Sequence, residues 1–117
     1  MHNKKLIEAV SIACDVEPVF VWQPVPTYKL AQQRHLFAAA DYGNHSYSKY
    51  GYIRMEEYIE TNPQGKNFLW TADMHYGAEV PYYVDAVHYS AGFSQKIAAT
   101  IGSMLLKEYP RLVGQRQ

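Results

Sequence analysis

An aspartate and a histidine three residues apart, Asp85 and His88, form the clearest chemical motif in the sequence. An ionised Asp85 can orient the imidazole of His88 and stabilise its charged form, which leaves the second ring nitrogen free to accept a proton from a nucleophile. An Asp-x-x-His pair is common by chance, and its context gives it weight. A strand-like run precedes it, and an amphipathic helical pattern starts directly after it at Ser90. The spacing therefore predicts an acid–base pair on the loop before the last helix.

A second cluster, Asp73 and His75, suggests a different chemistry. In an extended segment, residues two apart point to the same side, so this pair could begin a metal site. Asp85 and His88 would complete a set of four ligands. The sequence has no second close histidine pair such as His-x-x-x-His. We therefore favour a polar loop with Tyr76 near the cleft, and we expect neither a metal nor a cofactor.

A serine that His88 could activate is not evident in the sequence. A nucleophilic serine on a strand-to-helix turn has glycine donors beside it. The following serines lie at or within expected helices and lack that setting: Ser46, Ser48, Ser90, Ser94 and Ser103. We expect Ser90 to cap the last helix. Three other histidines have no companion at ligand or triad spacing and are expected at the surface: His2, His35 and His45.

The composition indicates a globular protein and excludes several classes of partner. Hydrophobic residues make up 48% of the 117 residues and charged residues 19%, with eleven acidic and eleven basic side chains. Without a basic block, binding to nucleic acid or to an anionic membrane has no electrostatic support. No apolar run approaches the ~20 residues that cross a bilayer. Because Glu8 and Asp15 interrupt the first apolar stretch, we expect no signal peptide. A cytoplasmic location is the default, although a longer parent protein could be exported.

Cysteine and tyrosine are the two residue types that say most about the interior. The single Cys14 excludes an internal disulfide, and its place in a helical apolar pattern predicts a buried side chain. Eleven tyrosines in so short a chain favour a contact surface or a polar-lined pocket over a dry core.

The order of predicted elements is helix, strand, insert, helix, strand, helix, in a single domain spanning residues 1–117. Apolar periodicity predicts the helices, and runs of β-branched and aromatic residues bounded by Pro and Gly predict the strands. Asn3 is a candidate N-cap for the first helix. Strands joined through a helix are expected to be parallel neighbours. The segments are helix His2–Val16, strand Val19–Trp22, insert Lys29–Asn44 with a short helix, helix Ser46–Glu60, strand Asn67–Thr71 and helix Ala91–Tyr109.

The stretch from Asp85 through Ala98 resembles the last sequence block of the SGNH (GDSL-type) esterases and acylhydrolases, an Asp-x-x-His before the final helix. Phe20–Pro26 is similar to the penultimate-strand region of some relatives. The resemblance implies an α/β fold, a partial three-layer flavodoxin-like (SGNH hydrolase-like) unit, α-β-α-β-α with two parallel strands. It also implies that Asp85 and His88 are the acid–base pair of an ester hydrolase. The Gly-Asp-Ser and Gly-x-Asn-Asp blocks of that family are absent, so we expect a truncated unit that is inactive alone. A chain supplying the missing N-terminal half would be needed for activity.

Two alternatives remain open at this stage. One is a non-catalytic binding or protein-interaction module with a tyrosine-rich cleft, and the other is a structural fragment without activity. In each case the two strands are apolar on both faces and belong in a wider sheet. We therefore expect a homodimer that completes the sheet and buries Phe20, Trp22 and several tyrosines, with the insert 29–44 reaching around the partner.

Overall fold

The computed structural model describes residues 2–31, 33 and 35–112. Within these residues it contains three α-helices and two short parallel strands. The architecture is mixed α/β, and the element order agrees with the one predicted from the sequence. The elements are α1 His2–Ala13, β1 Phe20–Trp22, a 3₁₀ segment Gly43–Tyr47, α2 Ser48–Thr61, β2 Phe68–Trp70, α3 Ala91–Glu108 and a second 3₁₀ segment Pro110–Leu112. Among the described residues, no helix is both long and apolar enough to cross a membrane.

Strands β1 and β2 are paired in parallel, as the helical crossover between them predicts. Phe20 aligns with Phe68, and Trp22 aligns with Trp70. Because side chains alternate along a strand, all four aromatic rings lie on one face of the sheet. The indole rings of Trp22 and Trp70 stack with their centroids 6.1 Å apart. All six strand residues are only partly buried in this two-stranded sheet, and the wider sheet expected from the sequence stays a prediction.

Helix α2 covers the tryptophan-bearing face of the sheet. The ring of Tyr52 meets Trp22 edge-on at 5.6 Å, and its hydroxyl donates to the carbonyl of Gln23 at 2.7 Å. Other tyrosines of this helix, including Tyr50, are exposed. The helix begins at Ser48, two residues later than predicted, because residues 43–47 form the tighter 3₁₀ turn. Position 52 thus ties α2 to the carboxyl end of β1.

Helix α3 and the loop before it form the main hydrophobic core. Phe93, Ile97 and Tyr83 are buried together. The hydroxyl of Ser90 accepts a hydrogen bond from the N–H of Phe93 at 3.3 Å, which confirms the predicted N-cap. Partly buried side chains surround this core: Leu30, Met74, Tyr82, Tyr89 and Ile101. The core therefore lies directly beneath the loop that carries Asp85 and His88.

Helix α1 turns its polar side toward the sheet. Lys4 and Ser11 are buried, whereas Leu6 and Val10 are 65% and 56% exposed. The prediction that Cys14 is buried is wrong, because it is exposed just beyond the last helical residue. The apolar periodicity of this helix thus marks a solvent-facing stripe in the described structure.

The ends of α1 also differ from those predicted. Asn3 lies inside the helix and is not its N-cap, since the helix already includes His2. At the other end, Asp15 adopts a left-handed conformation with φ 53°, and the N–H of Val16 bonds to the carbonyl of Ser11 at 2.9 Å. These are the features of a Schellman motif, which ends the helix at Ala13, before the predicted Val16.

The insert forms successive turns in its described part and no α-helix, contrary to the prediction. The N–H of Ala38 bonds to the carbonyl of His35 at 3.0 Å, and that of Ala40 bonds to Phe37 at 2.9 Å. His35 is buried and not at the surface as predicted, because its Nε2 donates to the carbonyl of Ala86 at 3.3 Å. The insert therefore lies against the loop that carries the Asp–His pair.

Candidate functional site

A short loop, residues 84–88, presents the Asp–His pair and is closed at its base by hydrogen bonds. Tyr83 and Tyr89 form an isolated antiparallel bridge. The N–H of Val84 donates to the carbonyl of His88 at 2.9 Å, and that of Ser90 donates to Tyr82 at 2.8 Å. Since Tyr83 is 3% exposed and contacts Phe93, the base of the loop is fixed in the core while its tip faces solvent.

Asp85 and His88 lie in direct contact, as their spacing predicts. Asp85 Oδ2 lies 2.7 Å from His88 Nδ1. The other carboxylate oxygen, Oδ1, accepts the backbone N–H groups of His88 and Val87 at 2.8 and 2.9 Å. These two backbone bonds, the His88 N–H first, and the imidazole contact lower the pKa of Asp85 to about 2. Asp85 is therefore ionised in any ordinary assay buffer.

The ionised carboxylate determines which nitrogen of His88 carries the proton. A carboxylate only accepts hydrogen bonds, so the Nδ1 of His88 must donate to it. In the neutral ring, Nε2 then keeps a bare lone pair. The His88 side chain is 76% exposed, so this nitrogen is accessible to a reacting group. The arrangement is that of a base and its orienting carboxylate.

An open cavity of about 260 Å³ adjoins His88. The loop is attached to it through Tyr89, whose hydroxyl donates to the carbonyl of Pro24 just after β1. The loop therefore lies beside the carboxyl end of β1. The cavity is lined by Gln23, Pro24, Val25, Pro26, Thr27, His45, Ser48, Val87, His88 and Tyr89.

Two cavity residues, His45 and Ser48, were not assigned to the site from the sequence. His45 is exposed, in agreement with the prediction for it, and Ser48 is the first residue of α2. Within the described residues, neither the Ser48 hydroxyl nor the His45 imidazole is hydrogen-bonded to His88, although all three side chains line one cavity. They meet residues 87–89 at this cavity although they are distant in the sequence, and a local pattern cannot reveal such a contact.

Asp73 and His75 do not face the same side, contrary to the prediction for an extended segment. Residues 73–76 form turns, with the N–H of Tyr76 bonded to the carbonyl of Asp73 at 2.8 Å. His75 is fully buried. Asp73 is partly exposed and lies 3.9 Å from the Nζ of Lys29. Within the described ranges, no three His, Cys, Asp or Glu side chains are grouped to hold a metal ion.

His75 lies beneath the loop of residues 84–88 and supports it. Its Nε2 donates to the carbonyl of Tyr28 at 2.5 Å, so in the neutral ring Nδ1 accepts from the hydroxyl of Tyr83 at 2.9 Å. Burial lowers the pKa of His75, which keeps the ring neutral near pH 7. Because Tyr83 begins the loop, this buried contact helps to position the loop.

Some tyrosines lie in the interior, and others are exposed on α2. Tyr28 and Tyr83 are buried, and burial raises the pKa of the Tyr28 hydroxyl to about 12. Tyr50 and Tyr58 are exposed on α2. Among the described residues that line the cavity, Tyr89 is the single tyrosine.

Comparison of the chain with protein-family models, curated proteins and solved structures gives no match.

Proposed function

We propose that this chain carries the acid–base half of an SGNH-type ester-hydrolase site and that it does not turn over esters alone. The observation that supports this most strongly is the 2.7 Å contact between Asp85 Oδ2 and His88 Nδ1. The carboxylate is held by two backbone N–H groups, and the other nitrogen of His88 is accessible beside a cavity. Among the described residues, a base and its orienting group are thus present without a nucleophile hydrogen-bonded to the base.

The proposed chemistry assigns each residue one step. The Nε2 of His88 takes the proton from an attacking serine hydroxyl while the serine oxygen bonds to the ester carbonyl carbon. Asp85 stabilises the resulting imidazolium. His88 then delivers the proton to the departing alcohol as the carbon–oxygen bond of the ester breaks. Water repeats the cycle on the acyl group and releases the acid. The serine and the oxyanion donors come from another chain in this proposal, because the Gly-Asp-Ser and Gly-x-Asn-Asp blocks are absent from the sequence.

The flavodoxin-like layering belongs to the same proposal. The two parallel strands with helices around them are compatible with part of such a unit. A further strand beside β1 would complete the sheet, and it would bring a nucleophile to the carboxyl ends of the strands, where sites form in open α/β sheets.

Ligand binding without catalysis is the second candidate function. The cavity favours it, because apolar side chains such as Val25, Val87 and the two flanking prolines line much of a 260 Å³ space. Polar groups of His45, Ser48 and His88 stand at the same cavity. Such a mixture of apolar lining and few polar groups is typical of small-molecule sites.

Hydrolysis of p-nitrophenyl acetate by the isolated chain tests the proposal. After the free-imidazole background is subtracted from both rates, we expect the native chain and the His88→Ala variant to hydrolyse the ester equally slowly. His2→Ala, which removes an exposed histidine that does not line the cavity, gives the background contribution of one such imidazole. Turnover that His88→Ala abolishes would show a complete site within this chain. Loss of that turnover in Ser48→Ala as well would identify its nucleophile.

A further inference from the structure

The cavity beside His88 has an apolar floor and a polar mouth. Pro24 is fully buried and Pro26 is buried, whereas Gln23, His45 and His88 are exposed. All five residues line the cavity. Since buried side chains lie deeper than exposed ones, the two prolines form the floor and the three polar side chains stand at the opening. A ligand that reaches inward from His88 therefore passes from polar to apolar surroundings.

The floor of the cavity offers little to a polar group. Proline has no backbone N–H, so positions 24 and 26 supply no donor. The carbonyl of Pro24 already accepts the hydroxyl of Tyr89, and the carbonyl of Val25 accepts the N–H of Tyr28 at 3.1 Å. A polar ligand group would lose its bonds to water against this surface, whereas a hydrocarbon group has none to lose. The floor therefore suits an aliphatic group.

The lining of the cavity also disfavours a charged ligand group. Among the described residues, it contains no Asp, Glu, Lys or Arg. The carboxylate of Asp85 is occupied elsewhere, with one oxygen on the Nδ1 of His88 and the other on two backbone N–H groups. An ionised group inside the cavity would lose hydration without gaining a counter-ion, which costs free energy. The group that fits is therefore uncharged.

The volume of the cavity limits the length of that group. The volume is about 260 Å³, and sites for drug-sized ligands usually measure roughly 300–1,000 Å³. A methylene is close in size to a water molecule, which takes about 30 Å³, so the cavity holds a chain of about eight carbons. A fatty chain of about sixteen carbons would need roughly 480 Å³ on the same scale.

We propose that the cavity holds a short, uncharged aliphatic group of the ester substrate, with up to about eight carbons inside it. The ester end lies at the mouth beside the Nε2 of His88, and the aliphatic tail packs against Val25 and the two prolines. The inference rests on the proposed function for the identity of the ligand as an ester. It adds the class of ester, which excludes long-chain lipids and esters with a charged chain.

Methyl ketones are suitable probes, because they carry the carbonyl group and the chain of an ester and cannot be hydrolysed. The isolated chain is titrated with ketones from methyl propyl to methyl decyl ketone at about pH 8.5, above the ordinary imidazole pKa of about 6.5. The backbone N–H signals of Val87 and Tyr89 report binding in ¹H–¹⁵N spectra. The dissociation constant should fall about fourfold with each methylene up to a chain of about eight carbons and then stay constant.

A charged probe tests the second part of the proposal. In the keto acid that matches methyl butyl ketone, a terminal carboxylate replaces the last methyl group. It should bind at least on the order of 10-fold more weakly than the ketone, because the carboxylate would be buried without a counter-ion.

Two opposite substitutions at Val25 test the location of the chain. Val25 is half-buried and lines the cavity. Val25→Phe fills part of the space and should move the constant region to shorter ketones, whereas Val25→Ala adds space and should move it to longer ones. A damaged fold cannot produce both shifts. Val80→Phe, at an exposed position that does not line the cavity, is the control and should leave the series unchanged. Circular dichroism verifies that the variants are folded.

Three outcomes would overturn the inference. The first is the absence of binding by every ketone of the series, and the second is a keto acid that binds as tightly as its ketone. The third is a chain-length profile that neither Val25 variant moves. Failure of this inference differs from failure of the proposed function, because ketone binding needs no nucleophile. Ester turnover by the isolated chain would refute the proposed division of the site and leave the ketone profile standing.

Discussion

Truncation of Phe93 is expected to remove most of the stability of the protein. The side chain is fully buried at the start of α3. Its ring stacks on Tyr82 at 4.2 Å and meets Tyr83 and Tyr89 at 6.0 and 5.2 Å between centroids. Phe→Ala in a core costs about 3–5 kcal/mol, and aromatic pairs add about 0.5–1.5 kcal/mol each beyond their buried area. We therefore expect a loss of about 4–5 kcal/mol for Phe93→Ala, out of a total that starts at about 5 kcal/mol for small domains.

Urea unfolding measures this loss. With a slope of about 1–2 kcal/mol/M, the midpoint should fall by about 2 M or more. The fluorescence of Trp22 and Trp70 and the far-ultraviolet circular dichroism report the transition at one fixed protein concentration. Leu106→Ala, which truncates a 55% exposed side chain of the same helix, is the control and should change stability by only about 0.5 kcal/mol. A loss below about 1.5 kcal/mol for Phe93→Ala would refute the assignment of the core.

Three further predictions concern the loop and its support. Burial lowers the pKa of His75 below its value in the unfolded chain, so the unfolded state binds the extra proton first. Stability should be full above about pH 6.5 and decline as the pH falls below it. In urea titrations, His75→Gln should reduce that decline. Asp85→Asn presents an amide N–H to the Nδ1 of His88, so long-range ¹H–¹⁵N spectra should show the neutral ring change from the Nδ1–H to the Nε2–H tautomer; an unchanged tautomer would contradict the contact described here. Ser90→Ala removes the cap of α3 and should cost about 1 kcal/mol in thermal unfolding, whereas Ser103→Ala, at an exposed helical position, should cost little.

The elements that the sequence predicts correctly depend on local chemistry. The β-branched and aromatic run at Phe20–Trp22 ends at two prolines, and its partner strand follows the turn at Gly65. The Asp85–His88 contact is also local, because the two residues lie only three positions apart in a tight loop. The cap at Ser90 follows from its hydroxyl and the helical pattern after it.

The features that the sequence does not predict depend on distant contacts. His35 is buried because it bonds to Ala86, and His75 because it bonds to Tyr28, each roughly fifty residues away in the chain. No periodicity contains that information. The orientation of α1 is also not predicted from the sequence. The rule that apolar stripes face inward fails for this helix, where Lys4 faces the sheet and Leu6 faces solvent.

Reconstitution of ester hydrolysis is the measurement that tests the central proposal most directly. An N-terminal half of an SGNH hydrolase, carrying Gly-Asp-Ser and Gly-x-Asn-Asp, would be mixed with this chain, and their association verified by sedimentation. The account predicts hydrolysis that requires both chains, falls by about 10⁴ with Asp85→Asn and is lost with His88→Ala, while Asp41→Asn has no effect. An associated pair whose hydrolysis is absent, or is unchanged by His88→Ala, would contradict it.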